Sequence, residues 1–125
     1  MLEKLDLAGV TGGEQLNFLF QTEENLRLFF YSSGPEDHLR PVTADARAQV
    51  LFIQLGGTDL EKMADMAAIS GAGIVIPTHH DGNGAESSHR LAGKFADLLA
   101  KKTKARFMDI EHGKWYEITT QCRAV

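Results

Sequence analysis

Hydrophobic residues fall in short runs along the chain, and their spacing predicts where strands and helices lie. Two runs near the amino end, LNFLF (16–20) and LRLFFY (26–31), are separated by a short polar stretch, and their apolar residues can share faces at period two. This pattern predicts two strands joined as a β-hairpin. The following segment, SSGPEDHLRP (32–41), is rich in serine, glycine and proline and predicts a loop.

Two longer apolar runs lie in the middle of the chain. AQVLFIQL (48–55) and GIVIP (73–77) are almost uninterrupted, which is typical of strands that are covered on both faces. Between them, Thr58 and Glu61 have the spacing of a capping box, and the apolar stripe that follows can end at Gly71 as a C-terminal cap. Since a helix joins the two strands, we expect them to be adjacent, parallel and central in the sheet.

The carboxyl-terminal third predicts one helix and two strands. Apolar residues at helical spacing indicate an amphipathic helix over about residues 86–102. RFMDI (106–110) and KWYEI (114–118) predict two closing strands around a turn at His112 and Gly113. The order of elements predicts an α/β fold, in which a mixed β-sheet carries helices on at least one face.

Composition and charge limit the classes of protein that fit the chain. Its 125 residues, 43% of them hydrophobic, predict a single domain over residues 1–125. No apolar run reaches the roughly 20 residues that cross a membrane, and the amino end lacks the pattern of a signal peptide. The single cysteine, Cys122, cannot form an internal disulfide, so we expect a cytoplasmic protein. The net charge of −4 and the scattered basic residues argue against binding to nucleic acid.

The segment GAGIVIPTHHDGNG (71–84) carries the main candidates for chemistry. His79, His80 and Asp81 follow a predicted central strand, at the sheet edge where α/β proteins bind ligands. Imidazole is a common metal ligand and general base, and a nearby carboxylate can orient it. Because adjacent residues of extended chain point in opposite directions, one of the two histidines is expected to face a given site. The spacing alone favours a polar loop with exposed histidines, since one ligand does not hold a metal.

Other residues with reactive or aromatic side chains have simpler explanations. Ser33 follows a strand but lacks the nucleophile elbow of serine hydrolases, so a turn is expected there. His89 and His112 are predicted to be surface residues. Trp115 and Tyr116 fall in a predicted strand, where packing accounts for aromatic residues.

Taken in order, these segments resemble the C-terminal half of a metallo-β-lactamase-fold hydrolase, within the broad beta-lactamase superfamily. NFLFQTEENLRLFFYSSG resembles that fold's hairpin, AQVLFIQLGGTD its following strand and turn, and FMDIEHGKWYEI its closing strands. The most specific part is GAGIVIPTHHDG, which resembles a late strand that ends in proline, any residue and then a metal-binding histidine. The resemblance covers most of the chain from about Leu16 onward.

The resemblance implies a zinc-dependent hydrolase in which His79 is a metal ligand, and it also shows what the chain lacks. The family's principal motif, His-x-His-x-Asp-His, has no counterpart, and Ser33 and Gly34 stand where the family has a Gly-Asp pair. The chain therefore resembles half of a four-layer αββα sandwich, with at most one of the family's metal ligands. Further ligands would have to come from residues such as His38 and Asp37, from a neighbouring subunit or from another domain.

Half of a sandwich leaves one face of its sheet without a second sheet. Apolar surface on that scale is an association surface, and residues 18–30 hold many aromatic side chains for an exposed hairpin. Either the chain is a piece of a longer protein, or a homodimer or partner half-domain covers the face opposite the helices. The alternatives are a non-catalytic binding or assembly module that retains half of the fold, and a flavodoxin-like domain with a continuously parallel sheet.

Overall fold

The structure, a computed structural model, describes residues 17–32, 36–56, 59–78 and 85–118. These residues form an α/β fold with five strands and three helices. In chain order the elements are β1 (Phe18–Gln21), β2 (Arg27–Tyr31), α1 (Glu36–Ala46), β3 (Val50–Gln54), α2 (Leu60–Ser70), β4 (Ile74–Thr78), α3 (Ala85–Lys102) and β5 (Arg106–Phe107).

The strands form one mixed sheet in which the spatial order β1-β2-β3-β4-β5 repeats the order in the chain. The hairpin of β1 and β2 is antiparallel, as predicted, and the other three pairings are parallel. The expectation of adjacent, parallel and central strands is confirmed, since Val50 lies opposite Ile74 and Gln54 opposite Thr78. The antiparallel β1 also departs from the continuously parallel sheet of a flavodoxin-like domain.

All three helices lie on one face of the sheet, because right-handed crossovers between neighbouring parallel strands always turn to the same side. Alternate apolar residues of β2, β3 and β4 point to this face and are buried there, including Phe29, Leu51 and Val75. Small residues of α2 let that helix approach the sheet closely. The main core joins these strand residues to Met63, Ala64, Met66 and Ala67 of α2 and to Phe95 and Leu99 of α3.

The opposite face of the sheet is divided into a covered and an open part. Near β4 and β5, the chain that follows β5 folds back across the sheet, so that this part is covered without a second sheet. A second apolar cluster forms there from buried Val50, Ile74 and Ile76 and from partly buried Met108, Ile110 and Ile118.

Four phenylalanines, here called the aromatic row, occupy the open part of this face: Phe18, Phe20, Phe30 and Phe52. The rings of Phe30 and Phe52 stack with centroids 4.2 Å apart, and Phe20 meets Phe30 edge-on at 5.5 Å. Phe18 and Phe20 are 49% and 53% exposed. Part of the expected apolar face is therefore exposed to solvent, on the side of β1, β2 and β3.

The predicted loop over residues 32–41 is wrong in its second half, where α1 begins at Glu36 and contains Pro41. Proline lacks an N–H and removes one helical hydrogen bond, so its presence locally disfavours a helix. Packing outweighs that cost, because Ala46 joins the main core on a helix that packs beside α2.

The predicted closing hairpin is also wrong. The final described strand is only Arg106–Phe107, parallel to β4, and residues 114–118 form no strand. Trp115 is fully exposed, and the Tyr116 hydroxyl accepts a hydrogen bond from the Glu111 N–H at 2.9 Å. Of the apolar residues in this segment, only Ile118 packs against the sheet face, where it joins the second cluster.

Both ends of α2 are defined by capping residues. Asp59 is the N-cap, one residue after the predicted Thr58, and its Oδ1 accepts hydrogen bonds from the N–H groups of Glu61 and Lys62 at 3.0 and 3.3 Å. Thr58 lies outside the described residues. The predicted C-terminal cap is confirmed: Gly71 has φ +69° and its N–H donates to the Ala68 carbonyl.

Candidate functional site

The carboxyl ends of the parallel strands meet at one edge of the sheet, where ligands bind in open α/β folds. There β2 ends at Tyr31, β3 at Gln54 and β4 at Thr78. The N–H of Leu55 donates to the Thr78 carbonyl at 2.9 Å, so β3 and β4 stay paired up to this edge. Each of the three helices starts from the same side, because each follows one of these strands. Their amino ends together favour negative charge near the edge.

His79, the residue predicted as a metal ligand, lies outside the described residues, as do His80 and Asp81. The structure places the strand that leads to them. Pro77 does not end this strand as predicted, since it pairs with Ile53 and β4 continues to Thr78. The carbonyl of Val75 accepts from Met108 on the β5 side, so by alternation the nitrogen of Pro77 also faces that side. Because β5 ends before it reaches Pro77, that strand has no carbonyl opposite this position that requires an N–H donor.

Asp37 and His38, named as candidate further ligands, lie in the first turn of α1, which starts at the same edge. The strands β2 and β4 are two strand spacings apart, about 10 Å. The topology therefore brings the start of α1 and the end of β4 at Thr78 to the same edge. Ser33 and Gly34, between β2 and α1, lie outside the described residues.

Within the part of the chain that the structure describes, no three His, Cys, Asp or Glu residues lie close enough to hold a metal ion. His89 and His112 are exposed, as predicted. The Nδ1 of His89 lies 3.8 Å from Asp109 Oδ2. One imidazole and one carboxylate fall short of a zinc site, which needs three or four protein ligands.

Two amide side chains at the carboxyl edge form hydrogen bonds with backbone groups there, and the sequence pattern predicted neither of them. Asn17 Oδ1 accepts a hydrogen bond from the Ser32 N–H at 2.7 Å, which ties the start of β1 to the chain leaving β2. Gln54 donates through Nε2 to the Gly56 carbonyl at 3.3 Å. The alternation of strand pairs across the hairpin is the signal that would have placed Asn17 beside the end of β2.

An open cavity of about 360 Å³ lies at the opposite edge of the sheet, lined in part by Gln49, Ser70 and Gly73. Two of its polar side chains form hydrogen bonds within the fold. Gln49 Oε1 accepts from the Arg27 N–H at 2.6 Å. The Ser70 hydroxyl donates to the Ala67 carbonyl at 2.6 Å and accepts from the Ala72 N–H at 3.1 Å. These bonds hold strand and helix ends together, so the cavity is explained by the fold.

Comparison with known proteins does not assign the chain to a family. No family model matches the sequence, and no curated protein matches it. None of the described helices combines the length and the apolar content needed to cross a bilayer.

Proposed function

We propose that this chain is the C-terminal half of a zinc-dependent hydrolase of the metallo-β-lactamase type, in which His79 supplies one metal ligand and another chain or domain completes the site. The observation that carries the proposal is the asymmetry of the sheet. Three helices cover one face, whereas Phe18 and Phe20 on the other face are about half exposed. In a two-sheet sandwich, each half contributes one sheet with helices on its outer face and apolar side chains on its inner face.

The topology of the carboxyl edge supports the same proposal. The strand β4 carries the chain to this edge directly before His79, and α1 brings Asp37 and His38 to it. Imidazole and carboxylate groups are the ligands that zinc takes in hydrolases, and three protein ligands leave one position for water. Bound zinc lowers the pKa of that water, so that a hydroxide nucleophile is available near neutral pH. In this proposal, the chain contributes one metal ligand and lines one side of the site.

A second candidate function is a non-catalytic assembly module that keeps half of the fold. The aromatic row favours it, because an apolar sheet face can associate with a partner without any metal. The two functions differ in what they expect of His79: a metal ligand in the first, and a loop residue of no special role in the second.

Zinc titration of the full chain, followed through the imidazole resonances of its histidines by NMR, tests the proposal. We expect excess zinc to shift the resonances of His79 but not those of His80, and His79→Ala to abolish the response. His80→Ala and His112→Ala are the matched controls and should leave the His79 response intact. We also expect dialysis to remove the zinc, because one imidazole does not hold a tetrahedral ion.

Two other outcomes of the zinc titration would contradict parts of the proposal. Equal shifts at all histidines, or none, would contradict the hydrolase proposal and favour the assembly module. Zinc that remains bound in equal amount to the chain after dialysis would contradict the need for another chain, and the ligands would then be sought at Asp37 and His38.

A further inference from the structure

The edge strand β1 is exposed along its whole length and carries no charge. Its residues, FLFQ, are all exposed, and Phe18, Leu19 and Phe20 are 49%, 43% and 53% exposed. Because strand side chains alternate, both faces of the strand are apolar at its centre. None of the four residues of β1 is lysine, proline or charged, although the Arg27 guanidinium of β2 donates to Gln21 Oε1 at 2.7 Å. Strands without such protection pair readily with another strand.

The other edge of the sheet is built differently. There β5 has only two residues, one of which is the exposed Arg106. A short strand that carries a charge is a common means of preventing edge pairing. The contrast between the two edges indicates that the backbone of β1 is available to pair with a partner strand.

The backbone groups that point outward from β1 belong to Leu19 and Gln21. The Gln49 N–H donates to the Arg27 carbonyl. The backbone N–H and carbonyl of Arg27 therefore point toward β3 and away from β1. By the alternation of antiparallel pairs, Leu28 and Phe30 turn theirs toward β1 and bond Phe20 and Phe18. Leu19 and Gln21 therefore present an N–H and a carbonyl to the open edge.

The segment Asn17–Gln21, NFLFQ, has the same pattern in both directions about Leu19: amide, aromatic, aliphatic, aromatic, amide. We propose that a second copy of this chain pairs with β1 in antiparallel orientation, across a two-fold axis at Leu19. Leu19 then meets its own copy as a hydrogen-bonded pair, and Asn17 meets Gln21. A two-fold interface uses one surface patch twice, which is what a palindromic strand supplies.

This pairing joins two five-stranded sheets into one continuous sheet of ten strands. Phe18 of one copy lies opposite Phe20 of the other at a position without hydrogen bonds, where side chains approach most closely. The aromatic rows of the two copies thus become one row across the axis. The inference concerns the strand edge alone and does not rest on the zinc chemistry proposed above.

Sedimentation of the full chain and of two lysine variants tests the interface. The natural chain should sediment at twice its mass of 13.7 kDa. Leu19→Lys places two like charges directly opposite each other, so the dimer dissociation constant should rise by roughly tenfold or more. Val42→Lys, at an α1 residue that is 52% exposed, is the matched control and should leave the dimer unchanged. Circular dichroism confirms that both variants fold.

Amide hydrogen exchange separates this edge from any other interface. In the dimer the Gln21 N–H should exchange slowly, and Leu19→Lys should speed its exchange by about tenfold or more while the Phe18 and Phe20 amides stay protected by β2. A monomer at high concentration, or a dimer that Leu19→Lys leaves intact, would overturn the inference. Protection of the Gln21 N–H in a monomer would also overturn it, since another part of the same chain would then cover the edge.

Discussion

Single residues set the ends of the helices. Gly71 ends α2 in the left-handed region at φ +69°, where side chains other than glycine are strained. Arg47, just after α1, has φ +48° without being glycine, and Asn25 in the hairpin turn has φ +65°. Asparagine tolerates this region better than most residues, whereas arginine does not. The position of Gly71 is thus decided by backbone conformation, since a Cβ there would meet no atom within 4 Å.

Alanine substitutions at two glycines should change stability in opposite directions. Gly71→Ala should destabilise the fold by about 1 kcal/mol, because alanine pays for the left-handed conformation. Gly93→Ala should stabilise it by about 1 kcal/mol, because Gly93 lies exposed inside α3 with open space around its Cα and alanine has the higher helix propensity. Urea unfolding measures both, and changes of the same sign would contradict this assignment.

The residues that could be predicted from the sequence are those with local roles. Gly71 was identifiable because glycine commonly follows the last turn of a helix. Asn17, whose amide accepts from Ser32 fifteen positions away, was identifiable only through the pairing of the two hairpin strands, because local spacing does not reveal such a partner. The role of His79 stays a prediction. The described part of β4 ends at Thr78, the residue before it.

At the scale of elements, ion pairs join the end of α3 to α2. Lys102 Nζ lies 2.7 Å from Asp65 Oδ1 and 3.7 Å from Glu61 Oε1. The hydrogen bond to Asp65, aided by the negative charges of both carboxylates, raises the pKa of Lys102 above its ordinary value. The charged lysine therefore favours the folded state, in which α2 and α3 pack side by side.

The contribution of Lys102 to stability should disappear in alkali. Because its pKa is higher in the folded protein than in the unfolded chain, the contribution is complete below the ordinary lysine pKa of about 10.4 and is lost as the pH rises through the raised value. The stability difference between the natural chain and Lys102→Met, from urea unfolding at each pH, should therefore shrink above that point. Lys101→Met, which removes a charge from the same turn, should show a smaller difference at neutral pH. Equal effects of the two variants would contradict the specific role of Lys102.

The elements that the sequence predicted correctly are those whose burial pattern is regular along the chain. The hairpin, the two central strands and helices α2 and α3 all have such patterns. Helix α1 was missed altogether because Pro41 is a local signal against a helix, whereas the burial of Thr43 and Ala46 depends on α2. The strand wrongly predicted over 114–118 shows the reverse: its residues alternate as a strand requires, but none of the described strands pairs with it.

At the scale of the whole molecule, the two faces of the sheet have different solvent exposure. The helix face is a closed core, whereas the other face joins a covered part to the aromatic row. An apolar area of several adjoining rings is more significant than single exposed residues, which are normal on protein surfaces. Trp115 is such a single residue, fully exposed.

A dye that binds exposed apolar surface distinguishes these two kinds of exposure. In the Leu19→Lys background, Phe52→Gln should reduce dye fluorescence more than Trp115→Gln, although Phe52 is partly buried. The physical reason is that the dye needs contiguous area, and the stack of Phe30 and Phe52 is the centre of the row. A stable monomer at high concentration that binds no dye would contradict an association surface on this face.

The strand order of the sheet bears on how the protein is made. Each strand pairs only with the strands next to it in the chain, so no strand has to wait for a distant segment before it finds its neighbour. Such local pairing shortens the search for the native topology. As the chain leaves the ribosome, the sheet can grow one strand at a time from the hairpin onward. The segment that carries Met108 and Ile110 follows all five strands in the chain, so it can pack against the sheet face only after β3 and β4 have paired.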